Sequence, residues 1–110
     1  MSTRARVGIV TPTGVRSILV KSDGSPDPLD MGLGEALIFQ WNTADLAREL
    51  IDGGDCICVV PRRVHRVFGG DQPVEHPADK WPMSYQCYDY LWDGVWLYRV
   101  SSLRGNWGSL

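Results

Sequence analysis

Apolar and polar residues alternate at the start of the chain. Ala5, Val7 and Ile9 fall on one side of an extended backbone and Arg4, Arg6 and Gly8 on the other, which predicts a half-buried strand over 4–10. Thr11-Pro12-Thr13-Gly14 is turn chemistry, and the β-branched run that follows predicts a return strand over 15–21 and hence a hairpin. Residues 22–34 hold prolines, glycines and the acids Asp23, Asp27 and Asp30 and read as a loop, and the apolar run Glu35 to Trp41 fits a short helix or a strand. Beyond it, Asn42 or Thr43 is a helix cap. Leu46, Ala47, Leu50 and Ile51 repeat at helical spacing over 43–52, and Gly53-Gly54 stops the helix. Asp-Cys-Ile-Cys-Val-Val predicts a buried strand over 55–60, whereas 61–80 shows no clear element.

The clearest pattern lies near the C-terminus. Two aromatic-rich runs, 85–92 and 95–103, flank Asp93-Gly94, the residue pair of a two-residue hairpin turn. Such a turn sets Trp92 opposite Val95, Leu91 opposite Trp96, Tyr90 opposite Leu97 and Asp89 opposite Tyr98. One face then carries Tyr88, Tyr90, Trp92, Val95 and Leu97, and the other Cys87, Leu91, Trp96, Tyr98 and Val100. Both are apolar, so one needs the helix and the other a second chain, which predicts self-association, most simply as a twofold dimer. The expected fold is α+β, with about five antiparallel strands and one or two helices packed on one face, in a single domain spanning 1–110.

Composition narrows the function. At 110 residues the chain is one domain's worth, and 44% hydrophobic with 22% charged residues is ordinary for a globular protein. A net charge of −2 excludes a protein that coats nucleic acid through phosphates alone. Three cysteines, an odd number, fit a reducing compartment, and no apolar run reaches a signal-peptide core or a membrane span, so the expectation is a soluble cytoplasmic protein.

The residues that carry chemistry are few. Cys56, Cys58, Cys87, His65 and His76 lack the paired spacing of a zinc site. Asp23, Asp27 and Asp30 resemble a calcium loop only in spacing, since two prolines interrupt it and the terminal Glu is missing. With no phosphate loop, nucleophile elbow or activated cysteine in view, neither an enzyme nor a cofactor is predicted. Binding is better represented. Arg62, Arg63 and Arg66 follow a strand, with Trp81 and Tyr85 beyond them and Arg104, Asn106 and Trp107 at the end. Guanidinium groups hold phosphate and aromatic rings stack on bases, so these eight residues predict a ligand site for a phosphorylated nucleotide. A solvated basic loop and ordinary packing are the plainer uses of the same residues, and packing is favoured for Tyr88 and Trp96.

Thr3-Arg4, Val7-Gly8-Ile9, Ser17-Ile18, Asp23-Gly24, Asn42-Thr43 and Gly54-Asp55 occur in the order found in a family of small, mostly phage-encoded proteins. That family begins T-R-x-x-I-G-I, runs into a W-D-G loop and continues to an N-T-capped helix and a G-D turn. The first half of this chain resembles it, except that Ser22 stands where relatives carry an aromatic. The resemblance implies a phage accessory protein acting in the host cell. In size and residue types the chain also resembles phage counter-defence sponge proteins, small oligomers that sequester nucleotide signals, which implies a cyclic nucleotide or ADP-ribose-type ligand. The alternative is a protein-interaction module or inhibitor that docks on a host complex without a small ligand, with the acidic loop as a partial mimic of a nucleic-acid backbone.

Overall fold

A computed structural model describes residues 3–82, 86–103 and 105–110. The elements run β1 (Ala5–Thr11), β2 (Gly14–Val20), α1 (Leu33–Gln40), α2 (Ala44–Asp52), β3 (Cys56–Val60), β4 (Arg63–Arg66), β5 (Val74–His76), β6 (Tyr88–Trp92), β7 (Trp96–Val100) and β8 (Gly108–Ser109). Short 3-10 turns lie at Pro28–Asp30, Ala78–Lys80 and Ser101–Leu103.

The fold is α+β, as the sequence predicts, but its sheet is larger and mixed. Eight strands are present among the described residues, in the order β4-β3-β2-β1-β6-β7-β8, with β5 joining the outer side of β2. The N-terminal hairpin forms with Thr11 opposite Gly14, and it lies in the middle of the sheet. Both of its neighbours along the main path, β6 beside β1 and β3 beside β2, run parallel to the strand they join. Alternation reveals a strand but not its direction, and a parallel neighbour needs a long crossover, which α1 and α2 supply between β2 and β3. The short strands β4 and β5 lie in the segment that shows no clear pattern.

The C-terminal hairpin corrects a second expectation. Its loop has three residues, Asp93 to Val95, with Gly94 at φ 82°, rather than two. Trp92 therefore opposes Trp96, Leu91 opposes Leu97, Tyr90 opposes Tyr98 and Asp89 opposes Arg99. A slip of one residue in one strand exchanges its faces. The aromatic residues Tyr88, Tyr90, Trp92, Trp96 and Tyr98 now share a face, where Trp92 and Trp96 meet edge-on with centroids 5.3 Å apart. The strands are also shorter than predicted: β7 ends at Val100, and 101–103 is a 3-10 turn.

Two helices cover the aromatic face. The ambiguous run is helical: α1 buries Leu33, Ala36 and Leu37, and α2 buries Ala47, Leu50 and Ile51, against Val7, Ile18, Val20, Tyr90 and Trp96. Thr43 caps α2 by accepting a hydrogen bond from the Leu46 amide. Tyr90 donates its hydroxyl to the Gly24 carbonyl (2.7 Å), and Trp96 donates Nε1–H to the Trp41 carbonyl (2.9 Å), so the polar handles of both rings are satisfied in the core. Burial drives the Tyr90 phenol far above its ordinary range.

The opposite face is covered in part from within the chain. Trp81 packs there with Val15 and Leu91, joined by Trp107. Gly8 makes room for the ring, because a Cβ at that position would lie 2.6 Å from Val15 Cγ1 and 3.1 Å from Trp81. The same face holds a buried ion pair, Arg99 Nε to Asp89 Oδ2 at 3.0 Å.

Candidate binding surface

The three arginines predicted to bind a ligand have three different surroundings. Arg66 ends β4 and turns back toward α2, where its Nη1 donates to the carbonyls of Leu50 (2.7 Å) and Gly54 (3.0 Å) and lies 3.4 Å from Cys56 Sγ. These carbonyls belong to the last turn of α2 and its stop, where a helix leaves acceptors unpaired and a cation is favoured. A Cβ at Gly53 would run into this guanidinium, so Gly53 is part of its seat. Arg66 thus serves the fold. Burial pushes the Cys56 thiol above its ordinary range, and the neighbouring Arg66 offsets part of that shift.

Arg62 and Arg63 are exposed. Arg62 sits in the turn between β3 and β4 with φ 68°, a left-handed conformation unusual for a side chain with a Cβ. Its amide donates to Gln40 Oε1 at 2.8 Å, which ties the turn to the end of α1. Among the described residues neither Arg62 nor Arg63 forms a salt bridge.

The predicted aromatic half of the site lies elsewhere. Trp81 is only 5% exposed, and its Nε1–H donates to Ser17 Oγ at 2.8 Å. Trp107 stacks on it with centroids 6.1 Å apart, and the Arg99 guanidinium carbon lies 4.2 Å from the centre of the Trp107 ring. Asn106 is exposed beside a shallow hollow with Tyr98, Arg99 and Gly105. Arg62, Arg63 and Arg66 therefore belong to the β4 end of the sheet, while Trp107 and Asn106 adjoin β7 and β8 at the other. The predicted site does not assemble from these residues. Tyr85 and Arg104 lie outside the described residues.

The acidic loop is also engaged in its own turn. Asp27 accepts from the Leu29 amide, Asp30 accepts from the Ser25 hydroxyl, and the Asp23 carbonyl accepts from the Leu33 amide. Among the described residues no three of His, Cys, Asp and Glu gather closely enough to hold a metal ion. No helix among them is long and apolar enough to cross a membrane.

A different surface stands out. Met31, Glu35, Phe39, Gln40, Pro61 and Arg62 line an open groove of about 510 Å³ between α1 and the β3–β4 turn. A second hollow of about 380 Å³ shares Glu35 and Phe39 and continues to Pro28, Ile38 and Leu110. Leu29, Met31 and Phe39 are 89%, 64% and 72% exposed. Met31 and Phe39 line one groove together, which distinguishes them from the isolated exposed apolar residues that any surface carries. Sequence reasoning missed Met31 and Phe39, the first assigned to a loop and the second to an element of undecided type. The available signal was α1 itself. Leu33, Ala36 and Leu37 face inward while Ile38 and Phe39 add apolar bulk on the remaining sides, so the helix has no fully polar face.

Comparison with family models, curated proteins and solved structures yields no match for this chain.

Proposed function

We propose that this protein is a non-catalytic protein-interaction module whose recognition surface is the groove between α1 and the β3–β4 turn. The observation that carries this reading is the exposure of Met31 and Phe39, both of which line that groove. Buried apolar anchors at the centre of an interface contribute most of its affinity, and a polar rim such as Glu35, Gln40 and Arg62 sets orientation. The resemblance of the first half of the chain to phage-encoded accessory proteins supports a partner in the infected host and a counter-defence type of role. The test is a photo-crosslinking residue placed at position 39 in producing cells, with position 10 as the control. One partner is expected to crosslink at 39 and not at 10, and Met31→Ser should abolish its capture by otherwise unmodified protein. Equal labelling at the two positions refutes the reading.

A second reading, binding of a phosphorylated nucleotide-type signal, keeps one observation in its favour: Arg62 lines the same groove as the exposed ring of Phe39. Stacking on such a ring contributes about 1–3 kcal/mol per base. Calorimetry with cyclic nucleotides and ADP-ribose isomers separates the readings. Saturable binding weakened by Arg62→Ala favours the nucleotide.

A further inference from the structure

The groove opens beside the start of β4, and β4 is the terminal strand on its side of the sheet, paired only with β3 among the described residues. An edge strand presents unpaired amides and carbonyls and is a template for another extended chain. Residues on β4 alternate in use. Val64 packs against the core and Arg66 is bonded to the end of α2, while Arg63 and His65 are exposed. Arg63 and His65 therefore share the outward face about 7 Å apart, the spacing of alternate residues in a strand. Arg62 adds a second permanent positive charge where the edge meets the groove.

We propose that this edge takes up an extended acidic segment of a partner protein by strand addition. The inference rests on the reading of the groove as a protein-binding surface and names the chemistry of what binds there. Main-chain hydrogen bonds to β4 supply register. Acidic side chains at alternate positions face Arg63 and His65, and an apolar residue at the end of the segment enters the groove against Met31 and Phe39. The charge pattern selects this occupant over a second copy, because antiparallel pairing of β4 with itself sets arginine against a basic strand. A bare phosphate backbone would satisfy the arginines and leave the apolar groove empty.

The test pans a random peptide display library against the full chain, then measures the selected peptides by fluorescence anisotropy. Enriched peptides should alternate Asp or Glu with apolar residues. N-methylation of the peptide at alternate amides should weaken binding tenfold or more, while N-methylation of the intervening amides changes it less than threefold. Arg62→Glu with Arg63→Glu should weaken binding at least tenfold with an unchanged unfolding midpoint. Selected peptides that lack acids, tolerate every N-methylation and lose binding only with Phe39→Ser overturn strand addition and leave the groove reading standing. Displacement of the selected peptides by an equimolar single-stranded oligonucleotide also overturns it. Failure to select any peptide sensitive to Phe39→Ser or to the double arginine variant overturns both readings.

Discussion

Replacing Arg66 by alanine removes a guanidinium that bonds two carbonyls at the end of α2, at 2.7 and 3.0 Å. A hydrogen bond involving a charged group contributes roughly 1.5–3 kcal/mol net. The two bonds here share one nitrogen, so their contributions overlap rather than add. A cation at a helix C-terminus contributes about 0.3–1 kcal/mol more. The expected loss is about 2–4 kcal/mol, a large part of the stability of about 5–15 kcal/mol typical of a domain. At about 4 °C per kcal/mol for a domain of this size, the midpoint should fall by roughly 8–16 °C. Arg66→Met keeps most of the aliphatic stem and should lose nearly as much, which separates the charge from the packing. Arg63→Ala, on the exposed start of β4, should stay within about 0.5 kcal/mol of the parent. Urea unfolding followed by far-ultraviolet circular dichroism measures all three variants. If Arg66→Ala and Arg66→Met unfold at the same urea concentration as Arg63→Ala, Arg66 is not a structural residue and its place in a ligand site reopens.

Three other perturbations address separate parts of the fold. Arg99→Ala should cost about 3–5 kcal/mol because it strands the fully buried Asp89 carboxylate, whereas the double change Asp89→Leu with Arg99→Met should recover most of that loss in the same unfolding assay. Thr43→Ala should cost about 1 kcal/mol by removing the cap of α2, with Thr43→Asn close to the parent. The Tyr90 phenol is raised in the folded state, so it stays protonated there while the unfolded chain ionises. Its contribution is therefore intact below pH about 10 and declines above it by about 1.4 kcal/mol per pH unit, and in Tyr90→Phe the alkaline slope of the unfolding free energy should be correspondingly shallower.

What the sequence made legible follows from how local each signal is. The first hairpin, α2 with its Thr43 cap and the existence of both C-terminal strands depend on neighbours a few residues apart, and all of them form. The register of the second hairpin depends on whether Val95 belongs to the turn or to the strand, and Asp93-Gly94 suits either loop length. The parallel pairings of β1 with β6 and of β2 with β3 depend on contacts across the whole chain, which alternation within a strand does not encode. The described residues of the predicted site lie apart for a related reason. Arg62, Arg63 and Arg66 lie close in sequence, with only Val64 and His65 between the last two, yet the φ of 68° at Arg62 and the bonds of Arg66 to α2 send them to different surroundings. Trp81 looked available for stacking because nothing nearby in sequence announces Ser17, its hydrogen-bond partner 64 residues away.

The two ends of the sheet also show how the chain avoids pairing with itself. At one end β8 is only two residues long, too short to template another strand. At the other, β4 has four residues and no second strand partner among the described residues, so length does not protect it. Arg63 and His65 occupy its exposed positions, and the permanent charge of Arg63 disfavours pairing with a second basic edge. The helices cover one face of the C-terminal hairpin and Trp81 with Trp107 cover part of the other, so the β4 edge is where strand pairing between copies would start. Arg63→Val with His65→Val removes the protection and raises strand propensity together, without touching the Arg66 bonds or the Val64 packing. Light scattering behind size-exclusion chromatography should show the mass of the double variant rising with concentration above that of the parent, and Arg63→Glu with His65→Glu should not show the rise. Equal masses for the Val pair and the parent across the range would mean that charge is not what keeps this edge single.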